Sequence, residues 1–406
     1  MSNRDLSPVL LGGDQNVYGF ARSFYEVYGV RSTCVAKVNY PVTKNSTILD
    51  NLAVDKFDTP DVFVKTLREL APKLRGERII VPCGDNYSRL LSHCKNQLDD
   101  LYLFNVPREE LIDKLCVKEN FYRVCSEYGF QYPLTAEVNK EDFCDFKLEF
   151  DFPVVIKASD SVAYWKCSFE GKKKVFVAHS QEEFKATLDA IYSSEYDKEL
   201  IIQEYIPGSD DNMRVVNAYC KKGGGAVFIS LGHIILEEHT AQGIGSYAAI
   251  MGAQDDELCQ KIRGFLDKIG YEGFINIDIK KDPRDNSYKF FEINPRAGRS
   301  SYFVTASGHN LAEILVRDIV DHAAGGFEIS RGECVWSIVP KRIIKKYVKD
   351  EKVKEEIRAQ MNKRYVRHLW WGHDRTFKRA LSFAVNQHHY FRKYKENFNK
   401  KGFFDK

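Results

Sequence analysis

The chain has 406 residues, is 44% hydrophobic and 13% aromatic, and carries a formal net charge of +3. That length suits roughly two or three domains with sizeable cores, and the apolar content excludes a disordered chain. No apolar run approaches the roughly 18 residues of a spanning helix, and residues 1–13 lack a signal peptide's basic–apolar–small order, so a cytoplasmic protein is expected.

Residues 8–13 (PVLLGG) read as a buried strand, 16–28 as a helix, 32–38 as a strand, 60–71 as a helix and 78–82 as a strand. This alternation predicts an α/β fold opening on a parallel sheet. Gly12 and Gly13 precede a helix N-terminus that could accept an anion, but the full GxGxxG of a dinucleotide site is missing. Asp14, Gln15 and Asp85 fall at C-terminal ends of these strands, where α/β folds place ligands.

Residues 108–128 form a charged amphipathic segment stopped by Gly129. Residues 153–157 (PVVIK) read as a strand ending in Lys157. Ser180 and Glu183 make a capping box that opens a helix over 180–192. Residues 200–206 read as a strand closed by Pro207-Gly208, 213–220 and 226–231 as further strands, and 255–269 and 310–324 as helices.

Residues 274–299 hold the clearest chemistry. Two β-branched and aromatic runs, 275–279 (INIDI) and 289–293 (KFFEI), flank a Pro/Asp/Asn turn. In such a hairpin Asp278 and Glu292 can face one side, and Asn294 shares it because strand side chains alternate. Two carboxylates and an amide oxygen suit Mg²⁺, which takes oxygen ligands and shares its shell with phosphates. Arg296 would add positive charge beside them, and the cluster suggests ATP·Mg chemistry. A plain edge hairpin with solvated charges is the other reading of the segment.

Charge is unevenly spread. Residues 341–406 carry +13 and the first 340 residues −10. The basic, aromatic and largely helical C-terminal stretch fits an anionic partner (nucleic acid, an acidic membrane surface or a phosphate-bearing substrate) or a solvated helical face. The ten cysteines are scattered singly, which argues for reduced thiols in core space.

Taken in order, the segment before Gly129, the PVVIK strand, QEYIPG (203–208) and the hairpin pattern D…E-x-N-x-R resemble the ATP-grasp superfamily of carboxylate–amine ligases over roughly residues 1–325. KASDSVAYWKCSFEGKKKVFVA (157–178), QEYIPGSDDNMR (203–214), EEHTAQGIGSYAAI (237–250), EINPRAGRSSYF (292–303) and GGDQNVYGFARSFYEVYG (12–29) are similar to the narrower D-aspartate ligase group. The resemblance implies a Rossmann-like N-terminal domain (1–114), a small ATP-grasp lobe or lid (115–215), a large lobe with the metal site (216–330) and a basic, mostly helical C-terminal segment (331–406). It implies phosphate contacts for Lys118 and Lys157, an adenine edge along Gln203, Glu204, Tyr205 and Ile206, and ribose contacts for Asp210, with Asp211 able to replace it. Asp278, Glu292 and Asn294 would hold one or two Mg²⁺ ions, with Mn²⁺ able to substitute. Arg296 and Lys157 would act at the reaction centre, and Arg299, Ser300, Arg214 and His239 would meet the substrate, with Glu238 and Tyr247 also within reach.

The expected activity is ATP-dependent amide formation through an acyl phosphate. The activated acid would be a small amino acid such as D-aspartate, and the acceptor an amine, anionic in the case of a peptidoglycan precursor peptide. Another amino acid or small carboxylate is the alternative. A non-catalytic nucleotide sensor would lack the metal ligands, a nucleic-acid module would have to rest on the basic tail, and an NAD-dependent oxidoreductase would rest on Gly12-Gly13 alone. Nucleic acid is not favoured, membrane contact is at most peripheral, and the oligomeric state is left open.

Overall fold

The computed structural model describes residues 4–239 and 245–398, with the side chains at 118, 119, 161, 162 and 165 outside that description. Four parallel strands form the first sheet, in the order Leu49–Ala53, Ser32–Ala36, Leu6–Leu11 and Glu77–Pro82. The strand Leu6–Leu11 is apolar but for Ser7, because both faces of the sheet are covered. Leu10 packs with Phe20 and Phe24 of the helix Gln15–Tyr28, while Val9 and Leu11 meet Phe63 and Leu67 of the helix Pro60–Leu70. The edge strand Leu49–Ala53 is absent from the sequence expectation, because only Leu49 is buried and no apolar run marks it.

The segment expected as one helix over 108–128 is two, Glu109–Cys116 and Lys118–Glu127. Val117 takes an extended backbone (φ −76°, ψ 122°) and breaks the axis. The second helix can then turn Phe121, Val124 and Cys125 onto the core beneath Ile275, Ile277 and Ile279.

A small antiparallel sheet follows, in the order Thr135–Val138, Leu200–Glu204, Val154–Ala158 and Val175–Ala178. The helix Gln181–Tyr192 seals it with Phe184, Leu188 and Ile191 against Val154, Ile156 and Ile202. The serine half of its capping box is formed, with Ser180 Oγ accepting from Glu183 N at 3.3 Å, while Glu183 Oε2 reaches one residue further back and accepts from His179 N at 2.8 Å.

The large sheet runs Tyr288–Asn294, Gly273–Lys281, Met213–Cys220, Ala226–Glu237, Tyr247–Ala253, Val335–Ser337 and Tyr365–Arg367, with Glu328–Ile329 pairing beside Ala226–Glu237. The strand expected over 226–231 continues to Glu237, and every residue of it is buried. The helix Asp256–Lys268 covers one face of the sheet. The helix expected over 310–324 ends at Ile319, closed by bonds from Asp321 N to Val316 O (3.0 Å) and Ala323 N to Arg317 O (2.7 Å).

The basic C-terminal stretch contributes the helices Lys341–Tyr347, Glu351–Lys363 and Phe377–Asn397, and it is fastened to the body. Two short strands, Val335–Ser337 and Tyr365–Arg367, extend the large sheet. Arg22 of the helix Gln15–Tyr28 pairs with Glu26 at 2.8 Å and donates to Arg367 O and His368 O at 3.0 and 3.1 Å. Asp374 accepts from Thr47 N at 2.7 Å and Ser46 Oγ at 2.8 Å, and pairs with Arg379 at 2.9 Å. His368 is wholly buried, with Nε2 donating to Gln15 O at 2.8 Å and its ring against Trp336, Tyr302 and Tyr18. Of the ten cysteines, all unpaired, only Cys144 is exposed.

Burial pushes His368 down from the usual 6.5 to about 3, and His233 likewise. The folded state therefore keeps both rings neutral where the unfolded chain is protonated. The unfolded chain binds more protons between about pH 3 and 6.5, so stability falls on acidification through that window, by about 1.4 kcal/mol per pH unit for each ring. Urea unfolding should show the midpoint dropping from about pH 7 to about pH 5, with a shallower slope in His368→Gln. An equal slope in that variant would remove His368 from the account.

Candidate active site

The hairpin forms with Asp278 directly opposite Glu292 and Asn276 opposite Asn294, and its register shifts just after Asp278. Ile275, Ile277 and Ile279 point to the core under the helix Asp256–Lys268. Alternation therefore sends Asn276, Asp278 and Lys280 to the opposite, polar face. Asp278 Oδ1 accepts from Tyr247 OH at 2.7 Å, and Oδ2 accepts from Asn294 Nδ2 at 3.3 Å. Asn294 Nδ2 also donates to Asn276 Oδ1 at 3.1 Å, and Asn276 Nδ2 to Asn217 Oδ1 at 3.2 Å. Gly298 is required beside this ladder, since a Cβ there would lie 2.7 Å from the Asn276 side chain.

Arg296 reaches back from the following loop. It donates to Asn294 Oδ1 at 3.1 Å and pairs with Asp85 at 2.9 Å. Residues around the N-terminal sheet grip the same loop through Asn16 Nδ2 to Ala297 O (2.8 Å) and Ser88 Oγ to Pro295 O (2.7 Å). Asp85 and the residues beside it thus do stand at the hairpin, whereas Asp14 caps its helix by accepting from Asn16 N at 2.9 Å. Gln15 is buried and gives its carbonyl to His368.

Burial pushes the Asp278 carboxyl up to about 7, and the Glu292 charge adds to the shift. Glu292 is itself exposed. Two carboxylates and an amide oxygen on one face fit a hard divalent cation that completes its shell with phosphate or water. No group of three or more His, Cys, Asp or Glu side chains among the described residues is placed to hold a metal unaided.

Next to the hairpin lies a cavity of about 840 Å³ bordered by Tyr205, Asp210, Glu237, His239 and Lys280. Tyr347–Asp350 and Phe398 of the C-terminal segment form its far wall. Asp210 Oδ2 accepts from Glu237 N at 2.9 Å and from His239 Nε2 at 2.8 Å. His239 rests on Phe398, centroids 4.5 Å apart, and Tyr394 OH donates to Glu237 O. Lys280 Nζ donates to Ile206 O at 2.8 Å and Gly208 O at 3.0 Å. Burial, with Asp210 beside it, pushes Glu237 up to about 8.

On the small antiparallel sheet Lys157 Nζ donates to Gln203 Oε1 at 3.1 Å, and Gln203 Nε2 donates to Tyr122 OH at 2.8 Å. Glu204 pairs with Arg284 at 2.5 Å, and Tyr205 N donates to Pro153 O at 3.2 Å. Arg299 is exposed, donating to Ser246 Oγ at 2.9 Å with Glu238 3.4 Å away. Ser300 beside it is buried. The Lys118 side chain lies outside the described residues.

Arg214 corrects an expectation. It stands opposite Ile279 in the register, so it shares the face of Ile277 and Ile279 and turns away from Asp278. There it donates to Asp211 O at 2.7 Å and Met213 O at 2.9 Å. Its odd strand position could have revealed this once the pairing was known. Glu237 and Lys280 were missed. Lys280 follows Asp278 by two residues, so strict alternation would have found it; Glu237 reads as the end of an apolar run.

Over its length the chain is 38% identical to a D-aspartate ligase of Enterococcus faecium (strain Aus0004), across 416 aligned residues that cover 99% of both chains. It belongs to the D-aspartate ligase family. No protein-family model matches the chain. Among solved structures it is similar to an N5-carboxyaminoimidazole ribonucleotide synthetase in complex with ADP (TM-score 0.59, 15% identity, 82% of both chains). It is also similar to an L-amino acid ligase from Bacillus licheniformis (TM-score 0.55, 11% identity, 78% of this chain and 75% of that one). The fold is the mixed α/β ATP-grasp fold, and this family member is an ATP-dependent carboxylate–amine ligase.

A proton on Asp278 would compete with any divalent cation bound there. The carboxyl is largely neutral below about 7. Divalent-cation affinity should therefore rise on going from about pH 6 to about pH 8, by up to about tenfold per unit below the midpoint. Calorimetric titration of the wild-type chain and Asp278→Asn checks this. Equal pH dependence in the two would exclude Asp278 as the titrating ligand.

Proposed function

We propose that this ligase activates D-aspartate with Mg·ATP and joins it to an amine of a peptidoglycan precursor peptide. The observation that carries the reading is the 38% identity to a D-aspartate ligase along the full chain. The polar face of the hairpin supports it, because it assembles acidic and amide oxygens beside two arginines. In this reading the chain divides near 115, 215 and 330, and residues 115–215 act as a lid that excludes water. The protein works in the cytoplasm.

A carboxylate is a poor electrophile, since its charge repels an incoming amine. Transfer of the γ-phosphoryl group to a carboxylate oxygen gives an acyl phosphate and ADP. The amine nitrogen then attacks the carbonyl carbon, the tetrahedral intermediate expels phosphate, and a proton leaves the nitrogen. Asp278, Glu292 and Asn294 would hold Mg²⁺, which offsets phosphate charge when bound.

Lys118 and Lys157 serve the nucleotide phosphates as point charges. The segment Gln203, Glu204, Tyr205 and Ile206 borders the adenine, and Asp210, held by His239, takes the ribose hydroxyls. Arg296 is placed to stabilise the developing oxyanion, trading its Asp85 contact for the substrate. Arg299, with Ser300, offers a guanidinium to the second carboxylate of aspartate.

The test is ADP release from Mg·ATP across D- and L-amino acids, with hydroxylamine present to trap the acyl phosphate. Hydroxamate should form with D-aspartate above all others; a different acid forming it would reassign the substrate, and none forming it would remove the acyl-phosphate step. Glu292→Gln should lower turnover by about a hundredfold or more with an unchanged unfolding midpoint, because Glu292 is exposed and supports no core. Near-normal ADP release from that variant would defeat the metal assignment.

A further inference from the structure

The C-terminal helix Phe377–Asn397 has 21 residues, and only Arg379, Tyr390 and Tyr394 of it are buried. Its outer side is not the polar face expected of a solvated helix. Phe377 is 84% exposed, Leu381 58%, Val385 47% and Phe391 41%. At about 100° per residue these four, with the exposed Ala384, fall within an arc of roughly 120°. Lys378, His388, Arg392 and Lys395, all exposed, are interleaved with or border the same arc, and Glu396 is the helix's sole acid. At its N-terminal end Trp370 stacks on Phe383, with Arg375 over the indole at 4.9 Å and Arg367 at 5.7 Å.

Protruding phenylalanines, leucine and valine among cations are the composition of a helix that lies in a bilayer interface. We propose that this helix face docks the ligase on the surface of an anionic lipid bilayer. The apolar side chains enter the acyl boundary while the lysine and arginine heads remain with the lipid phosphates. Charge complementarity selects this occupant. Residues 341–406 carry +13, so two copies apposed through this face would repel. A nucleic acid would satisfy the cations but leave Phe377 and Leu381 in water. No helix among the described residues is long and apolar enough to cross a membrane, so the contact is peripheral. The far end of the same helix reaches the cavity through Phe398.

The experiment is sedimentation of the full chain with vesicles of phosphatidylcholine alone and of phosphatidylcholine with about one-third phosphatidylglycerol. Binding should occur to the anionic vesicles, fall with added salt, and drop by about tenfold or more in the double variant Phe377→Ser/Leu381→Ser. Lys378→Gln and Arg392→Gln should each cost roughly fivefold. Amino-acid-dependent ADP release without vesicles should be the same in the Phe377→Ser/Leu381→Ser variant as in wild type, which separates lost docking from lost folding. Absence of binding, equal binding to neutral vesicles, or binding that survives the double variant would each overturn the proposal. A dimer in solution that this variant dissolves would also overturn it, by giving the face to a second copy.

Discussion

Taking a carboxylate out of water costs free energy unless hydrogen bonds or an opposite charge offset it, and Asp278 sits under that constraint. Tyr247 and Asn294 donate to its two oxygens, yet the group is still pushed up to about 7. A site so balanced holds an acid that a cation can readily ionise. Much of the surrounding architecture keeps it so. The asparagines at 217, 276 and 294 form a ladder that fixes the amide orientations, Gly298 leaves them room, and the Arg296–Asp85 pair holds the following loop against the helix Asp85–His93.

The C-terminal segment changes character when its contacts are followed. Its surplus charge suggests an anionic partner or a solvated helical face, but Arg379 and Asp374 form a buried pair that also secures Ser46 and Thr47, and His368 is locked under the first helix. The segment then closes the cavity beside the hairpin with Tyr347 and Phe398. It ties the N-terminal sheet to the large sheet and completes a wall of that cavity, so one strap serves both.

Local chemistry was the legible part of the sequence. The hairpin could be read because β alternation and a Pro/Asp/Asn turn are short-range signals, and the capping box at Ser180 is equally local. What was hidden depends on pairing across long separations. Leu49–Ala53 became a strand only because Ser32–Ala36 offered it an edge, and Arg214 changed sides because its partner across the ladder is Ile279. The break at Val117 leaves no Gly or Pro to read. The basic tail could not be distinguished from a free arm by composition, since its anchoring partners Arg22, Gln15 and Thr47 lie more than three hundred residues away.

The cysteines have a practical side. Burial pushes the thiols at 34, 116, 125 and 259 up to about 12, and those at 83 and 220 upward as well, so they present little thiolate to a reagent. Cys144 alone is exposed, in the stretch joining Thr135–Val138 to Val154–Ala158 on the small sheet. The native chain therefore carries its own exposed attachment point for a maleimide fluorophore, on the small sheet, and the surroundings of that sheet can be watched without first engineering nine cysteines away.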